Sequence, residues 1–499
     1  MTRGRRAGAP LAMALVALAS PAGERAATAA EPEPAAEAPA ESSGGGGLFE
    51  QSQAAAAPGA SSEGGATSAG SGPAPSGGPG RFTVTGYSRG DVFVGRVPGA
   101  QLPESKAAYG ELSMQVKTPR GTYGDGFAEA RLRYGLQGSE QRTFTDLREA
   151  YANAYVGPLD LRLGKQIIVW GRADALNPTN NLMPIDIRVR SPIDDDRRLG
   201  NFAARANLHL GPIRVEGVWI PLYIPSELPD IPMPQYVYFG TPSNPNAELR
   251  NSLTAARIHL ELPAFEMSVS YVRGFAPLPG MKRQSVRLDP NTPEVLITRT
   301  AYDQQVFGLD FSTALGSVLA LRGEAAYRLP TDYKNRIYAA HPDFQYALGL
   351  DHSFGPVSVI AQYLGRYVVD WQRIEADDAD PNNLKMMPSA NAQDFAEDII
   401  DGQLSKKNQM LFGQTARIQH LATARIEWLT AHDTLSVAVL GFYNFTTREW
   451  LASPKIGYHL SDEVTAYLGA EIFHGPEGTL FGVIDDLLSA GYAELRYTF

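Results

Sequence analysis

From Phe82 to the carboxyl end the sequence changes character at almost every second residue, and that period rules out most folds. In the last stretch Gly491, Ala493, Leu495, Tyr497 and Phe499 alternate with Tyr492, Glu494, Arg496 and Thr498. Side chains of a β-strand point in turn to its two faces, so this is a strand between an apolar and a wet surface. The same alternation sets Phe202, Ala204, Ala206, Leu208 and Leu210 against Arg205, Asn207 and His209. It sets Ala256, Ile258, Leu260 and Leu262 against Arg257, His259 and Glu261, and Val464, Ala466, Leu468, Ala470 and Ile472 against Thr465, Tyr467 and Glu471.

About eighteen such segments can be placed between Phe82 and Phe499. Their connections alternate in length. Gly157-Pro158, Gly211-Pro212, Pro263-Ala264, Leu315-Gly316, Gly355-Pro356, Ala431 to Asp433 and Ser461-Asp462 are tight and rich in turn formers. Between them lie long polar connections at roughly 170 to 200, 221 to 252, 276 to 300, 330 to 342 and 370 to 413. Thr446-Thr447 breaks the order with a short connection where a long one is due; one bent strand there would change the count by two. Beyond the N-terminal region no apolar run is long enough for a membrane-spanning helix, so a bilayer can be crossed only by a closed barrel. A mean hydropathy slightly below zero suits this, because a barrel strand shows lipid only every second residue. The expected fold is all-β: a transmembrane antiparallel β-barrel of about 18 strands, short turns on one rim and long loops on the other.

A final strand with a terminal Phe499 and Tyr497 two positions earlier resembles the closing strand of Gram-negative outer-membrane β-barrels. The resemblance implies that this end is read by the barrel-insertion machinery and that the wall meets outer-membrane lipid and lipopolysaccharide. An even strand count then puts both termini and the short turns on the periplasmic side. Tyr87, Tyr155, Tyr271, Tyr327, Tyr367, Tyr443, Tyr458 and Tyr497, near strand ends, are candidates for interfacial aromatic girdles. Ahead of the barrel (81–499), residues 1–30 read as a signal peptide: Arg3, Arg5 and Arg6 precede the apolar Leu11 to Leu18, with a small-residue site at Ala27 to Ala29. Residues 31–80, rich in Pro, Ala, Gly and Ser, cannot bury enough surface to order and read as a periplasmic tether.

The most distinctive stretch runs from Arg162 through Gly164, Lys165 and Gln166 to Trp170, Gly171, Asp174, Asn177 and Pro178. This Gly-Lys-Gln to Trp-Gly-x-x-Asp-x-x-Asn-Pro run resembles the equivalent loop in a poorly characterised family of bacterial outer-membrane barrels with porin-like members. The match spans about 30 residues and implies an envelope channel or an assembly role, and no enzyme. Physically, Trp170 is expected at the rim and Asn177-Pro178 at the start of a turn. Arg172, Asp174, Asp186, Arg188, Arg190, Asp194, Asp195, Asp196, Arg197 and Arg198 add a dense mixture of charge. Folded inward, such a loop would set the size and field of a constriction. Alternatively its charges pair with one another and pin the loop to wall or rim.

Strand parity directs Arg131, Arg133, Arg162, Arg205, Arg257, Arg322, Arg417, Arg425 and Arg496 into the lumen, with Glu129, Glu216, Glu261, Glu324, Glu427, Glu471 and Glu494 among them. Facing lipid at mid-depth each Arg would cost about 2–4 kcal/mol, so these positions require a wet interior. Asp377, Asp378 and Asp380 lack EF-hand spacing, so no metal site and no cofactor are expected. Pro221 to Pro245, with Tyr236, Tyr238 and Phe239, reads as a self-packed loop or a contact for an apolar solute. Absence of cysteine excludes a catalytic thiol, disulfides and thiolate metal sites. A net charge of −10 argues against nucleic acid as a partner, and no hydrolase or nucleotide-binding motif is present. His209 and His259 are expected as polar lumen groups. These observations favour a passive channel for small solutes, with a homo-oligomer allowed. The alternatives are a barrel sheath or assembly scaffold for another envelope protein and, third, a membrane-embedded hydrolase.

Overall fold

The computed structural model describes residues 81–97, 102–137, 140–174, 176–229, 236–287, 294–316, 319–374 and 392–499. The signal, the tether and the Asp377 to Asp380 stretch lie outside the described residues. Eighteen antiparallel strands close into one barrel. They are β1 (Thr83–Gly95), β2 (Glu104–Lys117), β3 (Gly124–Gln137), β4 (Glu140–Val156), β5 (Leu159–Gln166), β6 (Asn201–Leu210), β7 (Ile213–Ile220), β9 (Leu253–Leu262) and β10 (Phe265–Phe275), followed by β13 (Asp303–Leu315), β14 (Leu319–Pro330), β15 (Asp343–Phe354), β16 (Val357–Val368), β17 (Ile418–Thr430), β18 (Leu435–Asn444), β19 (Trp450–His459), β20 (Val464–His474) and β21 (Ala490–Thr498). The seam is β1 against β21, extended by Gly86 and Phe499, each of whose backbone N–H groups donates to the other's carbonyl at 2.9 Å. Between β18 and β19, Asn444 Oδ1 accepts from the backbone N–H groups of Thr446 and Thr447, so the short connection is a built turn between two strands.

The two faces of the wall reverse the pattern of a water-soluble sheet. Outward-pointing Leu112, Met114, Leu132, Ile258, Val269, Leu348, Ile426 and Leu495 are exposed, Leu468 to 61%, while inward-pointing Arg89, Asp91, Glu111, Glu129, Arg257, Asp310 and Glu494 are buried. So large an apolar exterior has a natural solvent only in hydrocarbon. Tyr271, Tyr327, Tyr367, Tyr443, Tyr458 and Tyr497 fall on this outer face. Tyr87 and Tyr155 do not: they share the inward parity of Arg89 and Asn153, and their hydroxyls donate to Glu111 (2.8 Å) and Asp125 (2.7 Å).

Tight turns occupy one rim, and Gly157, Gly211 and Gly355, with φ of 61°, 65° and 60°, supply the left-handed residue that three Gly-Pro turns need. On the opposite rim two connections expected as loops are structured. Residues 276–302 hold a hairpin of β11 (Gly280–Arg287) and β12 (Glu294–Thr300), joined in parallel by β8 (Val237–Phe239). Residues 392–411 form the helix Ala392–Leu411, whose Ala396, Ile400, Leu404 and Leu411 make one apolar stripe. A second helix, Leu480–Leu488, is capped by Thr479 and bridges β20 and β21. These elements pack Ile297, Ile400, Leu404, Phe481 and Ile484 onto inward Leu364, Leu421, Phe442, Leu451 and Phe473, one apolar cluster at the long-loop end. Tyr236 and Val237 join it, so that part of the Pro-rich connection packs on the protein itself.

Candidate functional site

Residues 167–200 leave β5 and fold into the barrel, where they meet the wall in two arms. Along the first arm Trp170 is 1% exposed, donates through Nε1 to Glu216 of β7 at 3.1 Å and lies 5.5 Å beneath Arg257 of β9. It does not sit at the rim: Ile168, Leu182, Met183, Val218, Leu253 and Val306 offer the ring an apolar interior site. Arg172 reaches Glu266 of β10 (2.7 Å) and Asp310 of β13 (2.8 Å). Asp174 pairs with Arg425 of β17 at 2.9 Å.

The Trp-Gly-x-x-Asp-x-x-Asn-Pro run has a physical explanation in this arm. Asn177 donates Nδ2 to the Trp170 carbonyl (2.7 Å) and accepts from the Thr179 N–H (3.2 Å), closing residues 170–179 into a compact turn. Gly171 has φ of 104°, and a Cβ there would fall inside the Asn177 amide, so both the backbone and the space demand glycine. The turn presents its donors to one carboxylate of the wall. Glu324 of β14 accepts from the backbone N–H groups of Arg172 and Ala173, from Thr179 N (3.4 Å) and from Thr179 Oγ1 (3.1 Å). Arg322, also on β14, donates to the Arg172 carbonyl at 2.9 Å and pairs with Asp351.

The return arm meets the other half of the wall. Asp186 binds Arg188 through both carboxylate oxygens at 2.9 Å, and Arg188 also approaches Glu227 at 3.4 Å. Arg190 donates to the carbonyls of Leu487 and Leu488, and Lys106 donates to those of Asp486 and Ser489 (both 2.7 Å). Two cations thus close the electronegative end of the helix Leu480–Leu488. Arg197 pairs with Asp194 (3.1 Å) and with Glu471 of β20 (3.0 Å). Asp196 pairs with Arg89 of β1 (2.7 Å) and Arg131 of β3 (2.6 Å), while Asp195 meets Arg148 of β4 and Arg198 (3.0 Å).

Burial alone would raise the Asp196 carboxyl, but Arg89, Arg131 and Arg148 outweigh it and hold it well below the usual range. Asp195, whose side chain is 59% exposed, is likewise lowered by Arg148 and Arg198. Burial, with Arg197 nearby, draws Arg190 down to about 10, leaving it charged at neutral pH. All twelve sequence-predicted loop residues thus come together inside the wall, and most of their charge is spent on one another or on wall partners.

Of the wall arginines, Arg133 pairs with Glu111 (2.6 Å), Arg205 with Glu216 (2.8 Å), Arg257 with Asp310 (2.6 Å) and Arg496 with Glu494 (2.8 Å), while Arg162 bonds Asn153 at 2.8 Å. Arg417 is a correction. It precedes β17, is exposed, and donates to the hydroxyl of outward Tyr367 at 2.9 Å, because strand parity does not extend past the first ladder residue. His209 and His259 are polar lumen groups on Asp160 (3.0 Å) and Glu216 (3.2 Å). Sequence reasoning passed over Arg89, Arg148 and Asp310, although each has inward parity. What it lacked was the pairing that brings them opposite the loop.

No family model and no curated protein matches the chain. Among solved structures it is similar to OccK9 (OpdG) of Pseudomonas aeruginosa, at 9% identity and a TM-score of 0.49, covering 84% of this chain and 97% of that one. A BenF-like porin from Pseudomonas fluorescens Pf-5 gives 11% identity and 0.48, covering 84% and 98%. OccAB3 of Acinetobacter baumannii gives 10% and 0.47, covering 84% and 99%. At such identities the chemistry of the lumen has to be taken from this chain's own side chains.

Proposed function

We propose that the chain is an outer-membrane channel through which small polar solutes pass without energy input, with residues 167–200 as its constriction. The observation that carries this reading is the inversion of the wall, apolar outside and ion-paired inside, together with a charged loop held within it. An 18-stranded ring is wider than its own side chains can fill, so a strapped loop leaves a narrow, polar, size-limiting path. The paired charges favour hydrated solutes over apolar ones, since each pair offers donors and acceptors that can stand in for part of a solute's hydration shell. The start of β1 and the end of β21 share the short-turn rim, and in this reading that rim faces the periplasm, as short turns do in Gram-negative barrels. Such a channel needs no catalytic group, and the two lumen histidines bonded to carboxylates serve as hydrogen-bonding lining.

The apolar cluster at the long-loop end favours a second reading, a barrel that holds another envelope protein and conducts only when its mouth is cleared. Planar-bilayer recording of the purified barrel separates them. Discrete conductance steps from the protein alone support the channel. Silence in the intact protein, with conductance only after removal of the helix Ala392–Leu411, supports the scaffold.

A further inference from the structure

The wall guanidiniums Arg89, Arg131, Arg133, Arg148 and Arg425, which face the loop, each have a carboxylate within ion-pair distance. Among the described residues, two inward wall charges have neither an ion pair nor a hydrogen bond. Lys455 of β19 makes no hydrogen bond or ion pair with the described residues; its ammonium rests 4.5 Å from the Tyr467 ring centroid. Its side chain is largely covered, at 7% exposure, yet the ammonium is not among the sealed, unpartnered polar atoms, so it keeps contact with the lumen. Glu427 of β17 is half-buried and has neither a hydrogen bond nor an ion pair with the described residues.

These two charges belong to one row. Glu427 lies opposite Ala438 of β18, and Ala438 lies opposite Lys455. Ser358 and Gly469 continue the row on either side. The backbones of β17 and β19 are therefore two strand spacings apart, about 9–10 Å, with only a methyl group between them. A lysine that leaned toward β17 would shorten that gap. Tyr467, on β20, draws the ammonium the other way. The result is a strip bordered by small residues, with a cation at one end and an anion at the other, neither in ion-pair contact with a described residue, while Glu494 and Asp194 act on Lys455 from beyond that distance.

We propose that this strip is a docking station for solutes carrying a carboxylate and an ammonium several ångström apart, as a short peptide does. The solute carboxylate meets Lys455 and its ammonium meets Glu427. Contact ion pairs in the wall act as tight dipoles whose field falls away quickly, whereas Lys455 and Glu427, with no contact partner among the described residues, leave their charged atoms open to a passing solute. The inference rests on the channel reading for its purpose but not for its test. Triglycine is titrated calorimetrically into the full-length folded barrel in detergent, beside N-acetyltriglycine, which lacks the cation, and triglycinamide, which lacks the anion. Triglycine is expected to bind at least tenfold more tightly than either, and Lys455→Met or Glu427→Gln to abolish that preference. The charge-swapped double variant Lys455→Glu, Glu427→Lys should restore it, with the peptide reversed, which a merely structural role would not do. Equal binding of the three peptides, or triglycine binding unchanged in both single variants, overturns the proposal. A barrel that binds triglycine but carries no current in a planar bilayer overturns the channel reading and leaves the station standing.

Discussion

Glu324→Ala tests how the constriction loop is held. The Glu324 carboxylate accepts from three backbone N–H groups and one hydroxyl of residues 172–179. A buried donor left without its acceptor costs about 1–3 kcal/mol, but water in a polar lumen recovers part of that. Taking about 1 kcal/mol for each of the three N–H groups, the docked turn is weakened by about 3 kcal/mol, roughly a hundredfold in the docked-to-released ratio. The arm itself stays in the lumen, because Arg172 keeps Asp310 and Asp174 keeps Arg425. Peptide-resolved hydrogen exchange on the detergent-folded barrel reads this directly. Amides of residues 172–179 should exchange about a hundredfold faster in the variant while those of β13 and β14 hold their protection. Glu324→Gln, which keeps a carbonyl acceptor, should lose about half of that effect. Single-channel current through the Ala variant should be noisier than wild type. Unchanged exchange in residues 172–179 would mean that Glu324 does not anchor the turn, and the account of the motif given above would fail with it.

Gly171→Ala should release the same turn by about 2 kcal/mol or more, from the positive φ together with the displaced Asn177 amide, and the same exchange measurement reads it. Because the Asp195 and Asp196 carboxyls are lowered in the folded loop, the stability they contribute is complete above the unfolded carboxylate range and is lost only as pH falls through their lower folded values. Hydrogen-exchange protection of residues 191–198, corrected for intrinsic rates, should therefore hold steady from pH 7 to about pH 4, and a loss titrating near pH 5 would contradict these ion pairs. His341 shows the depressed pattern at a higher pH: burial lowers its pKa, so the stability it lends the end of the helix Ala392–Leu411, where Gln414 bonds the His341 backbone, is present above about 6.5 and declines below it. Amides of residues 409–414, corrected for intrinsic rates, should lose protection between pH 6.5 and 5, and His341→Phe should remove that dependence. Deleting Phe499 removes two backbone hydrogen bonds at the seam, about 2 kcal/mol, and should lower the heat-resistant folded fraction recovered on refolding into vesicles.

The wall was legible in the sequence because each strand carries its own evidence, a period of two closed by a turn former; Gly157-Pro158, Gly211-Pro212 and Gly355-Pro356 fall where the chain reverses. The long-loop elements were not. Helix Ala392–Leu411 is charged along its length, and its apolar stripe becomes intelligible only once Leu421, Phe442 and Leu451 supply a surface for it. Parity located Arg131, Arg257 and Arg425 but misplaced Arg417, one residue outside the ladder. For the loop, composition marked twelve residues without saying whom they would meet. Partners such as Arg172 and Asp310, or Arg197 and Glu471, are brought opposite by closure of the ring, and local sequence holds no trace of that.

The circuit of residues 167–200 also has a mechanical side. A ring of 18 strands with nothing inside it flattens easily, because hydrogen bonds along the wall resist stretching far better than they resist bending. Here Asp174 grips β17 while Asp196 grips β1 and β3, so one short segment acts as a cross-brace between distant parts of the circumference. Squeezing the cylinder toward an oval would have to break charged contacts at both ends of that brace. The bore should therefore keep its outline when the surrounding bilayer changes thickness or lateral pressure, and the strut that narrows the passage also keeps it round.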